Sequence, residues 1–438
     1  MREHKLTTAR FPLSTNTYPH NISRVFVLLG CIMYEYHTLP NGIKIILSRT
    51  PSKVLYSGVY INVGSRDEVG DDEGMAHFIE HTIFKGTEHR RAHHILNRID
   101  GVGGELSAFT TREETCLYAT SLVEHLPRCM ELFADMLFHS TFPEAEVERE
   151  RDVVLEEINT YNDIPAERIG DQFEEMVYEG HPIAHPILGS KRNVRHFTSE
   201  RLRRRMEQCY TPSRMVVSVV GDVEMGRLVR LCERHFGGYV DHKAEPTREE
   251  RPVFRHFERR LHRHTHQSLI MLGCEAPDLY SRDKTAFTLL NNILGGPAMN
   301  SRLNIAVREH HGFCYTIESQ YVPYCDTGLF YIYAGVDPHA EERTLRLVGD
   351  ELDRLASTTL SERELHRAAR QMAAQMAIAQ ADGSDEMQSI GKAYLSFDKV
   401  DTLEDMTADI MSVTADSLRQ VAERCFAADR MSVLIHGN

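Results

Sequence analysis

The sequence lacks the features expected of a membrane-spanning or nucleic-acid-binding protein. None of its apolar runs approaches the roughly 20 residues that a membrane-spanning helix needs. A basic balance is also missing, because 50 Lys and Arg residues stand against 64 Asp and Glu residues, a formal net charge of −14. A phosphate-binding surface requires an excess of basic over acidic residues. We therefore expect no membrane span and no nucleic-acid partner.

The cysteines lack the arrangement of a disulfide framework. Nine cysteines are spread over the chain, and no two of them form a C-x-x-C pair. An odd number of scattered cysteines favours reduced, structural thiols. The sequence therefore predicts a reducing compartment, and we expect the protein to be cytoplasmic.

The first 32 residues differ from the rest of the chain, because they lack periodicity and contain clusters of Thr, Ser, Asn and Pro. The apolar run at residues 25–29 is shorter than the ~7–15 residues of a secretory signal core. We interpret residues 1–32 as a dispensable leader and expect the folded protein to start near Met33. Because Gly30 precedes Cys31, as in lipoprotein signals, the alternative is an exported or lipid-anchored protein.

Length and patterning predict two similar domains. A chain of 438 residues is longer than a domain with a single hydrophobic core usually is. The apolar-poor, charged stretch at residues 241–263 is typical of a linker between two domains. We therefore predict an N-terminal domain at residues 33–240 and a C-terminal domain at residues 264–438. In both halves short strands and amphipathic helices recur in a similar order, which predicts an α+β fold with a mostly antiparallel sheet in each domain.

Two strands surround the Pro40-Asn41-Gly42 turn, and further strands are expected at 54–63, 105–110, 115–122, 214–223, 268–274, 313–321, 328–336 and 431–436. Helices are expected at 92–102, 126–138, 143–161, 224–236, 281–294, 301–310, 340–356 and 361–380, in addition to one after the strand at 54–63.

That additional helix carries a His-x-x-Glu-His sequence at residues 77–81. Residues four apart in a helix lie on one face, one turn above each other, so His77 and His81 can share a tetrahedral zinc ion. Glu80 falls beside the metal, where it can take a proton from the attacking water. Inverted zinc-protease motifs have this order of residues.

A catalytic zinc takes three protein ligands and keeps one position open. The acidic helix at residues 143–161 offers candidates for the third ligand, because Glu150 and Glu157 are seven residues apart and share a helical face. Periodicity alone does not choose between Glu156 and Glu157.

Four separated motifs occur in the order found in a known family: His77-Phe-Ile-Glu-His81, Phe84-Lys-Gly-Thr87, GGELSAFT at residues 103–110, and ERERDVVLEE at residues 148–157. From about Met33 to its C-terminus, the chain resembles the M16 zinc metallopeptidases of the pitrilysin and insulinase clan. It is most similar to the short branch that includes the mitochondrial processing peptidase.

The resemblance assigns roles to individual residues. In the family the third ligand is the Glu that lies 76 residues after the second His, which is Glu157 in this chain. One Zn²⁺ per chain is implied, with Glu150 as the outer carboxylate that orients a ligand histidine. The segment from Asn300 to Tyr315 is similar to the motif whose Arg and Tyr reach the substrate, here Arg308 and Tyr315.

The resemblance also implies that an edge strand with Ser107, Ala108 and Phe109 pairs with the substrate backbone. Related enzymes usually have Asn-Ala where this chain has Ser107-Ala108. That departure bears on turnover and substrate preference rather than on the reaction class.

The expected function is that of a zinc-dependent endopeptidase, which cleaves extended peptides or unfolded segments inside the clamshell chamber of a homodimer. One alternative is a non-catalytic structural or partner subunit of the same family, and another is a zinc hydrolase for small molecules. The presence of all three expected ligands and the base favours the peptidase.

Overall fold

A computed structural model gives the fold of the chain and describes residues 34–242, 248, 251–263 and 265–437. The predicted leader at residues 1–32 lies outside these residues, as do several positions of the predicted linker. Within the part of the chain that is described, no helix is long and apolar enough to cross a membrane.

The first half of the chain forms a six-stranded sheet. Its strands are β1 (Tyr34–Thr38), β2 (Lys44–Arg49), β3 (Val54–Ile61), β4 (Glu105–Thr110), β5 (Thr115–Leu122) and β6 (Met215–Gly221). They lie in the order β1-β2-β6-β3-β5-β4, and all neighbours are antiparallel except β2 and β6. The predicted turn joins β1 to β2, and Gly42 takes a φ of +99° there, a conformation that glycine adopts without steric cost.

Helices of the first half pack mainly on one face of this sheet. They are α1 (Met75–Thr82), α2 (Ala92–Asp100), α3 (Leu126–His139), α4 (Glu144–Asp163), α5 (Pro165–Val177), α6 (Lys191–Val194), α7 (Ser199–Cys209) and α8 (Met225–Phe236). The larger of them, apart from α5, bury apolar side chains against the sheet in one continuous core. Each contributes an apolar stripe at helical spacing, and burying that stripe stabilises the helix.

The second half forms a five-stranded sheet with the order β7-β11-β8-β10-β9, in which only the β7–β11 pair is parallel. Its strands are β7 (Glu258–His262), β8 (Ser268–Glu275), β9 (Cys314–Pro323), β10 (Gly328–Val336) and β11 (Ser432–Gly437). Its helices are α9 (Lys284–Gly295), α10 (Glu341–Ser357), α11 (Glu362–Ala379), α12 (Gly383–Phe397), α13 (Leu403–Ser412) and α14 (Ala415–Cys425), together with a π-helix at Asn304–Glu309.

Each half also contributes one helix to the other half's sheet. Helix α5 buries Ile169 and Phe173 against Met271 of the second sheet. Helix α12 buries Ile390 against Tyr60 of the first sheet. The exchange covers the second face of both sheets with apolar side chains. The predicted α+β fold with two similar domains is confirmed, while the boundaries at 33–240, 241–263 and 264–438 stay a prediction.

Candidate metal centre

Helix α1 carries the His-x-x-Glu-His residues between the edge strand β4 and helix α4, both of which it contacts. Met75, Phe78 and Ile79 recur at a helical spacing of three and four residues, and each is at most 1% exposed. Burial of that apolar stripe fixes the rotation of the helix about its axis. The remaining face, which carries the two histidines, is therefore directed at β4 and α4.

The two histidines meet one carboxylate of α4. The ring centroids of His77 and His81 are 4.6 Å apart. His77 Nε2 lies 3.8 Å from Glu157 Oε1, and His81 Nε2 lies 3.3 Å from Glu157 Oε2. One ligand atom from each of the three residues lies within 4.8 Å of the others, so the group could hold a metal ion.

The donor set and its spacing fit zinc. With bonds of about 2.0–2.1 Å, tetrahedral zinc holds its ligand atoms about 3.3–3.4 Å apart, so both nitrogen–oxygen separations need little adjustment. Glu157 Oε2 is shielded from solvent, and no well-aligned hydrogen bond satisfies it. Its near neighbour is His81 Nε2 at 3.3 Å, and a cation between the carboxylate and the imidazoles would satisfy this shielded oxygen better than that contact does.

The structure separates the two neighbouring glutamates that periodicity left open. Glu157 faces the histidines, whereas Glu156 is exposed and accepts a hydrogen bond from Asn159 Nδ2 at 3.0 Å. Only Glu157 is in a position to act as a metal ligand.

Glu150 lies behind His81, on the far side of its ring from Glu157. Its Oε1 is 2.9 Å from His81 Nδ1, and its Oε2 is 2.7 Å from Lys85 Nζ. A carboxylate on Nδ1 holds the ring so that Nε2 points away from it, towards Glu157. Lys85 was not among the predicted site residues, although its position four residues after His81 indicates that it shares that side of the helix.

The pKa values of the three residues are shifted in different directions, so the residues differ in their readiness to bind a cation. Burial, together with the charge of the nearby His81, lowers the pKa of His77 to about 4, although the charge of Glu157 opposes the shift. Burial also disfavours a charge on His81, but the hydrogen bonds and charges of Glu150 and Glu157 outweigh it and raise the pKa of His81 to about 9. The pKa of Glu157 is lowered, chiefly by its interaction with His81. Only His81 therefore has to lose a proton before a metal can bind.

Glu80 belongs to the same helical turn, and its environment differs from that of the other carboxylates. Burial raises the pKa of Glu80 above its ordinary value, while its interaction with Thr110 on β4 and the charge of His81 pull the pKa down. A carboxyl group whose pKa is raised accepts a proton more readily at neutral pH, as a general base requires. Thr110 is a further residue to which the sequence analysis gave no role.

The predicted substrate strand is β4, which forms one edge of the first sheet. Ser107, Ala108 and Phe109 pair with Tyr118, Leu117 and Cys116 of β5, and no other strand of the described chain pairs with them. The phenyl ring of Phe109 packs on Tyr60, with centroids 6.1 Å apart. Within the described residues the outer edge of β4 is therefore free of strand pairing, as backbone hydrogen bonds with another extended chain would require.

Arg308 and Tyr315 lie together in the second half. Arg308 is in the π-helix, and its guanidinium carbon lies 5.8 Å from the centre of the Tyr315 ring, at the start of β9. Tyr315 is 82% exposed. Within the described residues, neither side chain makes a hydrogen bond or an ion pair to His77, His81 or Glu157.

Comparisons with known proteins identify the family of the chain. Residues 44–191 match the family model described as insulinase (peptidase family M16), and residues 196–372 match the model described as the peptidase M16 inactive domain. A Bacillus subtilis protein named uncharacterized zinc protease YmxG is 32% identical over 404 residues, which is 92% of this chain and 98% of that protein. A Streptomyces coelicolor protein, also named as an uncharacterized zinc protease, is 36% identical over 393 residues, covering 88% of this chain and 85% of its own length.

Solved structures agree on the fold. A protease from Helicobacter pylori superposes with a TM-score of 0.87 at 24% identity, over 93% of this chain and all of the other. A structure from Pseudomonas fluorescens, titled as a peptidase M16 inactive domain, gives 0.85 at 21% identity, over 93% of this chain and 98% of that one.

Proposed function

This chain belongs to peptidase family M16, and from that premise we propose that it is a zinc-dependent endopeptidase for extended peptides or unfolded segments. One observation carries the proposal: His77, His81 and Glu157 converge on one point while Glu80 stands on the same helical turn. A non-catalytic family member would have no need to keep both the complete ligand set and the base.

In the proposed site, His77, His81 and Glu157 hold one Zn²⁺ per chain. When bound, zinc supplies a Lewis acid that polarises the scissile carbonyl and makes a water acidic near neutral pH. Glu80 takes the proton of the attacking water and then passes it to the leaving amine nitrogen.

The open edge of β4, with Ser107, Ala108 and Phe109, binds the substrate backbone as an added strand. Main-chain groups make those hydrogen bonds, so substrates must be extended where they are cut. Arg308 and Tyr315 donate hydrogen bonds to the substrate or to the charge that develops on its carbonyl oxygen.

Incubation of the purified protein with a library of long, unfolded quenched peptides tests this proposal. We expect internal cleavage, with product masses that locate the cut bonds, and no hydrolysis of small esters or single amino-acid amides. A chain that binds zinc and cleaves no peptide would instead be the non-catalytic partner subunit of the alternative interpretation.

A cytoplasmic location is part of the proposal. Eight cysteines fall in the described residues; all are free thiols, and all but Cys325 are buried. Reduced, buried thiols of this kind are typical of proteins that work in a reducing compartment.

Replacing Glu150 with glutamine should weaken zinc binding about 10–100-fold, the usual cost of losing an outer carboxylate. The amide would still contact His81 but would no longer offer the charge that favours one ring orientation. Glu148→Gln is the matched control, because Glu148 is exposed on the same helix. Competition with a chromophoric chelator gives the zinc affinities of both variants. Equal affinities would show that Glu150 does not support zinc binding.

We further propose a homodimer in which each chain supplies Arg308 and Tyr315 to the zinc site of its partner. The family resemblance implies this arrangement, because larger members of the family carry four such domains in one polypeptide and two chains of this kind would supply the same number. The observation in favour is that Arg308 and Tyr315 pair with each other rather than with the metal cluster of their own chain.

Mixing two inactive variants tests this arrangement. Glu80→Gln and Arg308→Ala chains that exchange subunits should regain about a quarter of wild-type activity, because half of the dimers are mixed and each has one intact site. A Glu80→Gln and Glu157→Gln mixture is the control and should stay inactive, since both changes damage the same part of the site. If tagged pull-downs show mixed dimers and activity stays absent, each site is completed within one chain.

A further inference from the structure

The loop before helix α1 carries a buried carboxylate that the proposed mechanism does not use. Glu68 is 0% exposed. Its Oε2 accepts a hydrogen bond from the Gly74 backbone N–H at 2.7 Å, and its Oε1 accepts one from the Ala76 N–H at 2.5 Å. N–H groups of a first helical turn have no carbonyl partner within the helix. One side chain therefore satisfies two of these donors, immediately before His77.

The start of α1 has little freedom to move. Gly74 has a φ of +90°, and a Cβ atom there would lie 2.7 Å from Gly189 Cα. Gly189 has a φ of +67° and would meet Gly74 Cα at 2.5 Å in the same way. Two backbones in direct contact leave no space for an alternative path of the chain. The hydrogen bonds of Glu68 therefore act on a helix end whose other side is already fixed.

Two residues earlier in the loop, Arg66 is held by the second half of the chain. It is 3% exposed, and its Nη1 and Nη2 lie 3.0 and 2.9 Å from the two carboxylate oxygens of Asp326. Asp326 stands in the turn between β9 and β10. Glu113, between β4 and β5, completes the arrangement at 2.5 Å from Arg66 Nη1. A bidentate arginine–carboxylate pair fixes orientation as well as distance.

Asp67, which lies between Arg66 and Glu68, is also held by hydrogen bonds. Asp67 Oδ2 accepts a hydrogen bond from the Gly64 N–H at 2.9 Å, and its Oδ1 accepts one from Arg248 Nε at 2.9 Å. Arg205 of α7 donates to the Asp67 carbonyl oxygen at 2.7 Å. Three consecutive side chains thus connect the second half, the segment between the halves and the helix with the proposed zinc ligands.

We propose that Arg66, Asp67 and Glu68 form a positioning segment, which sets the zinc ligands of α1 relative to the second half of the chain. The proposal rests on the proposed zinc-peptidase function. Glu68 touches neither substrate nor metal; it acts through the backbone of Gly74 and Ala76 on His77. Since Arg308 and Tyr315 lie in the second half, the segment also sets the zinc ligands of one chain relative to the groups that this chain would offer to its partner's site.

Glu68→Gln is the most direct test. An amide has one acceptor oxygen, and its NH₂ group would face a backbone N–H donor, so only one of the two hydrogen bonds survives. We expect zinc affinity to fall about 10–100-fold, as for other residues that orient ligands, with kcat lowered and KM unchanged. Both are measured on folded protein, well below the Tm of the variant.

Glu386→Gln is the matched control. Glu386 is 4% exposed and accepts a hydrogen bond from Ser48 Oγ at 2.6 Å, on the opposite face of the first sheet. This variant should lose stability without losing zinc affinity. Wild-type zinc affinity and kcat in folded Glu68→Gln would overturn the proposal, as would an equal loss of zinc affinity in Glu386→Gln.

Asp326→Asn tests the connection to the second half and leaves the loop itself unchanged. It weakens the bidentate pair with Arg66, and we expect zinc affinity to fall about 2–30-fold, the range for residues that couple distant sites. Unchanged zinc affinity in this variant overturns the proposal, even if Glu68→Gln fails to fold. If the wild type itself binds no zinc and cleaves no peptide, the proposed function fails; a normal wild type with unaffected variants refutes only the positioning segment.

Discussion

Replacing Glu80 with glutamine is expected to leave the fold and zinc content intact while lowering the rate of peptide hydrolysis at least ~10²-fold. Glu80 stands one residue before His81 on α1 and is not needed to hold the metal. Glutamine keeps the shape of the side chain but has no basic oxygen that can take the proton of the attacking water. The loss should therefore appear in kcat.

Zinc content and steady-state hydrolysis of one quenched peptide, measured on the same preparations of wild type and variant, decide this prediction. Near-wild-type turnover by a Glu80→Gln protein with full zinc occupancy would mean that another group is the base. Loss of zinc from the variant would mean that Glu80 has a part in holding the metal.

Replacing Glu157 with glutamine is expected to release zinc, with an affinity loss above the ~10²-fold upper end seen for outer residues. Glu157 is the anionic member of the ligand set, and the pKa of its carboxyl group is lowered, first by its interaction with His81. A neutral amide would leave two imidazoles without the charge that compensates the cation. Activity should disappear together with the metal.

Glu156→Gln is the control in the adjacent position, because Glu156 is exposed and hydrogen-bonded only to Asn159 among its described partners. Metal analysis of both purified variants should show zinc retained in Glu156→Gln and lost in Glu157→Gln. The reverse pattern would show that the neighbouring glutamate is the ligand.

The arrangement of the metal cluster was largely predictable from the sequence. Helical spacing places His77 and His81 on one face, and the same periodicity relates Glu150 to Glu157. Residue types and spacing could not choose between Glu156 and Glu157, because both lie near that face; the resemblance to the family selected Glu157. In the structure Glu157 faces the histidines, whereas Glu156 accepts a hydrogen bond from Asn159. That these residues bind zinc stays a prediction until metal content is measured.

Residues that support the cluster were harder to find. Thr110 meets Glu80 only because strand β4 returns beside helix α1. Glu68 caps α1 from six residues before Gly74, whereas the usual capping residue lies at the helix boundary itself. Such contacts depend on tertiary folding, which local patterns do not contain.

Three helices between residues 383 and 425 were also missed by the sequence analysis. Helix α12 contains Gly383 and Gly391, which lower intrinsic helix propensity. In the folded chain these glycines let the helix approach the first sheet: a Cβ at Gly391 would lie 2.6 Å from Tyr60 Cδ2, and one at Gly383 would lie 2.3 Å from Tyr56 Cε2. Packing against a distant sheet decides this helix, so local propensity was a poor guide to it.

A zinc titration of the chelator-treated, metal-free chain, with peptide hydrolysis followed in the same samples, tests the central claim most directly. The proposed site predicts that activity is absent without metal, rises in proportion to added zinc, and reaches its plateau at one zinc per chain. Peptide hydrolysis that persists without metal, or a chain that takes up zinc and gains no activity, would contradict the assignment of a zinc endopeptidase.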